Sequence, residues 1–361
     1  MQEYSYLSFF QHVYQRKKKK LNFEAKTVQE FYQWQAESRK TVQSLLGWDL
    51  LEMVDQEQKT PLSPVELSVT QKDSYTIRKM EITTLPYVKM PFYLMIPNDI
   101  KKGEQRKTII CLPAHGSNKE VVAGIQNNEQ VHKKIQESPR EQYGKEFCER
   151  GYITVCPDPS GFGERQELVA SEDIAFKENN QWNALASSCG KLSETAEAMG
   201  LSLAGLIAWD NKKLLDFLAT LPYVDMNHIG CAGFSGGGLH TLWLASLDDR
   251  IQLAVISGYI HGYYDSILDT HLCACNFVPK LWEYADISDI ASLIAPRPMF
   301  VENGIEDPLN GHRGVADPKE QVEKIKRAYA LFRSEDKMEQ YTPEGLHAWH
   351  AGCFDFVEKN L

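Results

Sequence analysis

The sequence has no uninterrupted apolar run of the roughly 18 residues that a membrane-spanning helix needs. It also lacks a basic excess: 39 Lys and Arg stand against 49 Asp and Glu, a formal net charge of -10. Nucleic acid and anionic membrane both attract a positive footprint, so this balance argues against either as the main partner. The local exception, Arg16-Lys17-Lys18-Lys19-Lys20, reads as a solvated face or linker. No secretory signal is visible, because the early charges follow a short apolar patch and no small-residue cleavage site comes after it. A disulfide framework is missing too. The eight cysteines, at 111, 148, 156, 189, 231, 273, 275 and 353, lie mostly in apolar segments, which suits buried thiols in a reducing cytoplasm. Cys273-Ala274-Cys275 is the one close pair, and with no second pair to complete a zinc site no metal is expected.

What is present is enough chain, 361 residues, for one large α/β domain with insertions or two modest domains. Residues 1–65 read as a helical N-terminal extension, since Phe23, Phe31, Trp34, Leu45 and Leu46 recur at helix spacing before the texture changes around Pro61 and Pro64. Residues 66–361 read as the catalytic domain. Its first segments, 74–83 and 86–96, are predicted antiparallel strands rich in Val, Ile, Tyr and Thr. Short apolar runs at 107–112, 152–156, 228–232, 251–256, 297–301 and 338–342 then alternate with predicted helices near 141–150, 198–220, 237–247 and 318–334. That alternation predicts an α/β fold, a mostly parallel sheet with helices on both faces. Ligands bind such sheets at the carboxyl ends of the strands. Two segments, 164–197 and 258–287, are long enough to be lid-type insertions or pocket walls.

One strand end carries Gly233-Phe234-Ser235-Gly236-Gly237, followed by a predicted helix. A serine on a sharp strand-to-helix turn projects its hydroxyl above the sheet, and flanking glycines let strand and helix approach. The helix N-terminus also aims N–H groups at any oxyanion forming there. With this elbow stand LPAHG (112–116), DPSGFGER (158–165), IAPRPMFVENGIEDPL (294–309) and EGLHAW (344–349). On these motifs the sequence resembles the α/β-hydrolase superfamily from about residue 86 to 354. Within it, the chain is similar to bacterial esterases of the dienelactone hydrolase and acetyl xylan esterase kinds.

The resemblance implies a triad in the order Ser, acid, His. It places the acid on Asp307, with Glu306 and Glu302 as alternatives in the same turn. It places the base on His347, two residues past a glycine, with His350 as the competitor. The oxyanion donors it implies are the backbone N–H groups of Gly236 and of Ser117, just after His-Gly, while His115 braces that loop. The other histidines default to the surface. Gly161-Phe162-Gly163 lacks the spacing of a dinucleotide fingerprint and reads as a turn at the pocket edge. Tyr263, Trp282 and Trp349, with Trp182 and Tyr264, lie in the long segments or beside the histidine. They are candidates to stack on a sugar or acyl chain, although packing of the insertions accounts for them equally well.

The expected function is hydrolysis of a carboxylic ester with a small acyl group, acetylated carbohydrate included, through an acyl-enzyme. A peptidase or amidase of the prolyl-oligopeptidase-like class shares the elbow, but the residues ahead of the core leave no room for its β-propeller. A non-catalytic binding protein on a hydrolase scaffold is the third reading. The expected partner is a small-molecule ester, and a homo-oligomer is left open. No metal or organic cofactor is implied, so a chelator is expected to leave activity intact.

Overall fold

The computed structural model describes residues 4, 6–16, 18–167, 183–270 and 272–361. Among them, nine strands form one sheet: β1 (Val65–Gln71), β2 (Tyr75–Leu85), β3 (Val88–Pro97), β4 (Arg106–Leu112), β5 (Ile153–Pro157), β6 (Val224–Phe234), β7 (Ile251–Ser257), β8 (Met299–Glu302) and β9 (Met338–Tyr341). Their spatial order is β1-β2-β3-β5-β4-β6-β7-β8-β9. The first three strands are antiparallel, β3 runs antiparallel to β5, and β4 to β9 are mutually parallel. The central strands read as near-continuous apolar runs because each face of the sheet has its own core. Ile110 and Leu112 of β4 point into one core, and Ile109 and Cys111 into the other.

The sequence reading did not contain β1. VELSVTQ is exposed along its whole length on the sheet edge, paired with β2 alone, so it carries no run of buried residues to announce it. The helix expected near 198–220 is Leu203–Leu218, and a further helix, Cys189–Ala198, precedes it at the end of the first insertion. Between them the Ser202 hydroxyl accepts the N–H of Gly205 at 3.1 Å, capping the later helix. Part of the first insertion, Trp182 included, lies outside the described residues.

The N-terminal segment is helical over Leu7–Arg16, Val28–Leu46 and Trp48–Gln58. Its buried Phe31, Val42, Leu46, Trp48 and Leu51 belong to the same core as one face of the sheet. The join at Gly47 is tight: at φ 89°, a Cβ there would stand 2.6 Å from Leu201 Cδ2. Three lysines of the basic run are paired within the chain. Lys18 meets Glu24 at 2.7 Å, the Lys19 ammonium sits 3.6 Å over the Tyr14 ring, and Lys20 meets Glu283 at 3.3 Å. Lys17 lies outside the described residues. No helix among the described residues is long and apolar enough to cross a membrane.

Candidate active site

β6 ends at Phe234 and the helix Gly236–Leu247 begins two residues later. Ser235 makes the turn at φ 55° and ψ -115°. Glycine is required where helix and strand touch: a Cβ on Gly237 would lie 1.9 Å from the Leu112 carbonyl oxygen, and one on Gly233 would lie 2.2 Å from that of Gly237. The Ser235 N–H donates to the Ser257 carbonyl of β7 at 2.8 Å, tying the turn to the neighbouring strand.

The loop after β8 brings Asp307, and the loop after β9 brings His347. His347 Nε2 lies 2.8 Å from Ser235 Oγ, and its Nδ1 lies 2.7 Å from Asp307 Oδ2. Asp307 is buried, and its other oxygen accepts the Leu309 N–H at 2.8 Å. A base held by a buried acid beside a hydroxyl is the arrangement that activates serine as a nucleophile. The competitors sit elsewhere. Glu302 accepts the Ser257 hydroxyl at 2.7 Å and the N–H groups of His350 and Gly352 at 2.9 and 3.0 Å, so it pins the histidine loop. Glu306 is exposed. The His350 ring faces the Leu346 carbonyl at 3.1 Å.

Ser117 is not placed as expected. Its N–H donates to the Ala114 carbonyl at 3.2 Å, closing a turn around His115-Gly116. His115 is the member of this loop that abuts Gly236: a Gly236 Cβ would stand 2.5 Å from its ring Nδ1 and 3.2 Å from its backbone nitrogen. A cavity of about 300 Å³ opens here, lined by Ser235, Gly236, His115, Tyr259, His261 and Leu272 among others.

The aromatic candidates among the described residues do not line this cavity. Trp349 is buried under the sheet, stacked on Tyr143 at 4.4 Å. Tyr263 is buried in the opposite core. Trp282 packs 6.2 Å from Tyr14 of the N-terminal helix and its carbonyl accepts from Lys19. In each case packing takes the ring. Two histidines depart from the surface default, since His240 and His261 are fully buried; His115 lines the cavity. Burial lowers the His261 pKa to about 4, with the Asp307 charge raising it and His347 lowering it further. Neither His261 ring nitrogen has a partner among the described residues. Its place just past the end of β7, on the ligand side of the sheet, was the available signal.

DPSGFGER is built on buried charge rather than on a nucleotide loop. Asp158 accepts from Lys119 Nζ at 2.6 Å and from the N–H groups of Lys119 and Glu164 at 3.0 Å each. Lys119, fully buried, also meets Glu120 at 2.9 Å and Glu164 at 2.7 Å. A second cluster is metal-like. His115 Nε2 and the Sγ atoms of Cys189, Cys273 and Cys275 all lie within 4.8 Å of one another. The expectation of no metal site rested on the missing second cysteine pair, and the fold supplies those partners from distant positions.

Comparison with known proteins gives the family and the fold. The Abhydrolase family model matches residues 4–268, a span that takes in the N-terminal helices and stops short of Asp307 and His347. YtaP of Bacillus subtilis (strain 168), provisionally named a hydrolase, is 26% identical over 300 residues, covering 78% of this chain and 84% of the relative. A structure from Bacteroides fragilis NCTC 9343, provisionally named an acetyl xylan esterase, is similar with a TM-score of 0.76 at 20% identity, over 94% of this chain and 82% of that one. A glucuronoyl esterase from Solibacter usitatus is similar with a TM-score of 0.57 at 15% identity, over 82% and 85% of the two chains. At these identities the structural likeness speaks for the fold.

Proposed function

The chain belongs to the Abhydrolase family, and from that premise we propose that it is a serine carboxylesterase acting on small acyl esters, acetylated carbohydrate among them. The observation that carries the reading is the unbroken chain of contacts from Ser235 Oγ through His347 to Asp307, at 2.8 and 2.7 Å. Ser235 attacks the acyl carbon while His347 takes its proton and then passes it to the departing alkoxide. Asp307 orients the imidazole and favours its charged form. The tetrahedral oxyanion is held by the N–H of Gly236 and, in place of Ser117, that of His115. Each such donor contributes about 2.7–4 kcal/mol to the transition state. Water admitted to the cavity then clears the acyl group by the same base.

The cavity of about 300 Å³ suits a small acyl group. His261, neutral at pH 7 and unpartnered, offers a hydrogen bond to the alcohol portion. The structural neighbour provisionally named an acetyl xylan esterase favours a sugar alcohol there. Eight free cysteines suit a reducing compartment, so we place the protein in the cytoplasm with a small-molecule ester as its partner. The test is a panel of acetyl, butyryl and longer p-nitrophenyl esters and acetylated xylo-oligosaccharides, with an aminoacyl amide beside them. Acetyl esters should turn over best, Ser235→Ala should turn over none, and a fluorophosphonate should label Ser235. Cleavage of the amide alone moves the chain to the peptidase class, and an unlabelled Ser235 overturns the serine-hydrolase reading altogether.

A further inference from the structure

We propose that His115, Cys189, Cys273 and Cys275 form a structural zinc site that fastens both insertions to the loop beside the nucleophile. His115 Nε2 lies 3.1 Å from Cys275 Sγ and 3.9 Å from Cys189 Sγ, and the four ligand atoms are mutually within 4.8 Å. A tetrahedral zinc with bonds of about 2.3 Å to sulfur and about 2.0 Å to nitrogen puts its ligand atoms roughly 3.5–3.8 Å apart. The observed spacings bracket that range. Three thiolates and an imidazole are a donor set for zinc, and among the described residues no carboxylate joins it to favour magnesium, calcium or manganese. With four protein ligands the shell is closed, so the metal holds structure and has no open position for substrate.

The four residues come from three separate segments. His115 follows β4, Cys189 opens the helix that closes the first insertion, and Cys273 and Cys275 belong to the second. Cys189 and Cys275 are buried, and Asn276 Nδ2 approaches Cys275 Sγ at 3.8 Å, a contact that steadies a coordinating sulfur. Phe162 packs 5.2 Å from the His115 ring, shielding the site on one side. Binding Zn²⁺ releases the three thiol protons, and the neutral imidazole coordinates through Nε2. His115 then does two things: its Nε2 meets the metal while its Nδ1 edge and backbone nitrogen lie against Gly236. Zinc therefore sets the position of the loop that our esterase reading uses for the oxyanion, and only that consequence rests on the reading.

The purified protein should carry about one zinc per chain by elemental analysis, and so should Ser235→Ala, which separates the metal from the chemistry. Cobalt substituted at the site should show thiolate-to-cobalt charge transfer and the visible bands of a tetrahedral centre. Cys189→Ser and Cys275→Ser should each lower zinc affinity about tenfold or more. If those variants do not fold, the cobalt spectrum of the unaltered chain decides. Zinc removal with a strong chelator should lower ester turnover about tenfold, with recovery on adding zinc back. Three results overturn the proposal: zinc well below one equivalent after reconstitution, a disulfide among the three cysteines detected by mass, or full zinc occupancy in the double Cys→Ser variant. Unchanged turnover after complete zinc removal overturns the fastening of the loop.

Discussion

Ser235 holds φ 55° and ψ -115°, a conformation that costs a non-glycine residue on the order of 1–3 kcal/mol and persists only when its surroundings enforce it. The enforcement is visible in the Ser257 carbonyl on its N–H and in the glycines pressed against Leu112 and Gly237. The strain points the hydroxyl at His347 rather than into the helix. His347→Ala should therefore cost activity on the order of 10⁴–10⁶ in kcat, as loss of a serine-triad base does. His350→Ala should change kcat by no more than a few-fold, because its ring faces the Leu346 carbonyl. Measured side by side on p-nitrophenyl acetate, the opposite ranking would refute the assignment. These residues were legible in the sequence because elbow, acid turn and histidine loop are local patterns in a fixed order. That the Ser117 N–H turns back onto the Ala114 carbonyl was not legible. It depends on which N–H closes a four-residue turn, and the letters LPAHGSN fit either outcome.

At the scale of elements, the loop after β4 and the turn after β5 are joined by charge removed from water. Burial alone would lower the Lys119 pKa, but Asp158, Glu120 and Glu164 more than offset it and hold the ammonium charged. Breaking a buried pair by deleting one partner leaves uncompensated charge, typically about 3–5 kcal/mol. Lys119→Ala should lower unfolding stability by about that amount in urea titrations. A loss below about 1 kcal/mol would mean that the carboxylates find water or another cation. The sequence marked DPSGFGER as a turn at the pocket edge without revealing what holds it, since Lys119 lies far from Asp158 along the chain. Edge strand β1 was missed for a related reason. Its identity comes from pairing with β2 alone, and pairing leaves little trace in composition when neither face is buried. The parallel strands β4, β5, β7 and β8 were read correctly because burial on both faces writes a continuous apolar run.

At the scale of the whole molecule, the sheet order brings residues 115, 189, 273 and 275 to one place, which no spacing along the chain foretells. The same closure buries titratable groups with opposing consequences for acid stability. His261 falls to about 4 in the fold through burial, against about 6.5 when unfolded. Above pH 6.5 both states are neutral and nothing changes. As the pH falls below that, the unfolded chain takes the proton first, so stability is lost until the folded group titrates near 4. By pH 5 the loss is about 2 kcal/mol. Asp289 works the other way. Burial raises it to about 6, partly offset by the N–H groups of Asp286 and Phe23, so the fold takes up a proton before the unfolded chain does. Stability is then gained as the pH falls from 6 toward about 3.9, by about 1.4 kcal/mol at pH 5. Urea midpoints at pH 7.5 and 5 separate the two. His261→Gln should lose about 2 kcal/mol less than the unaltered chain between those values, and Asp289→Asn should lose about 1.4 kcal/mol more. If the His261→Gln difference runs parallel to that of the unaltered chain, the imidazole reaches water at pH 5. The cavity it lines is then open enough to solvate a charge.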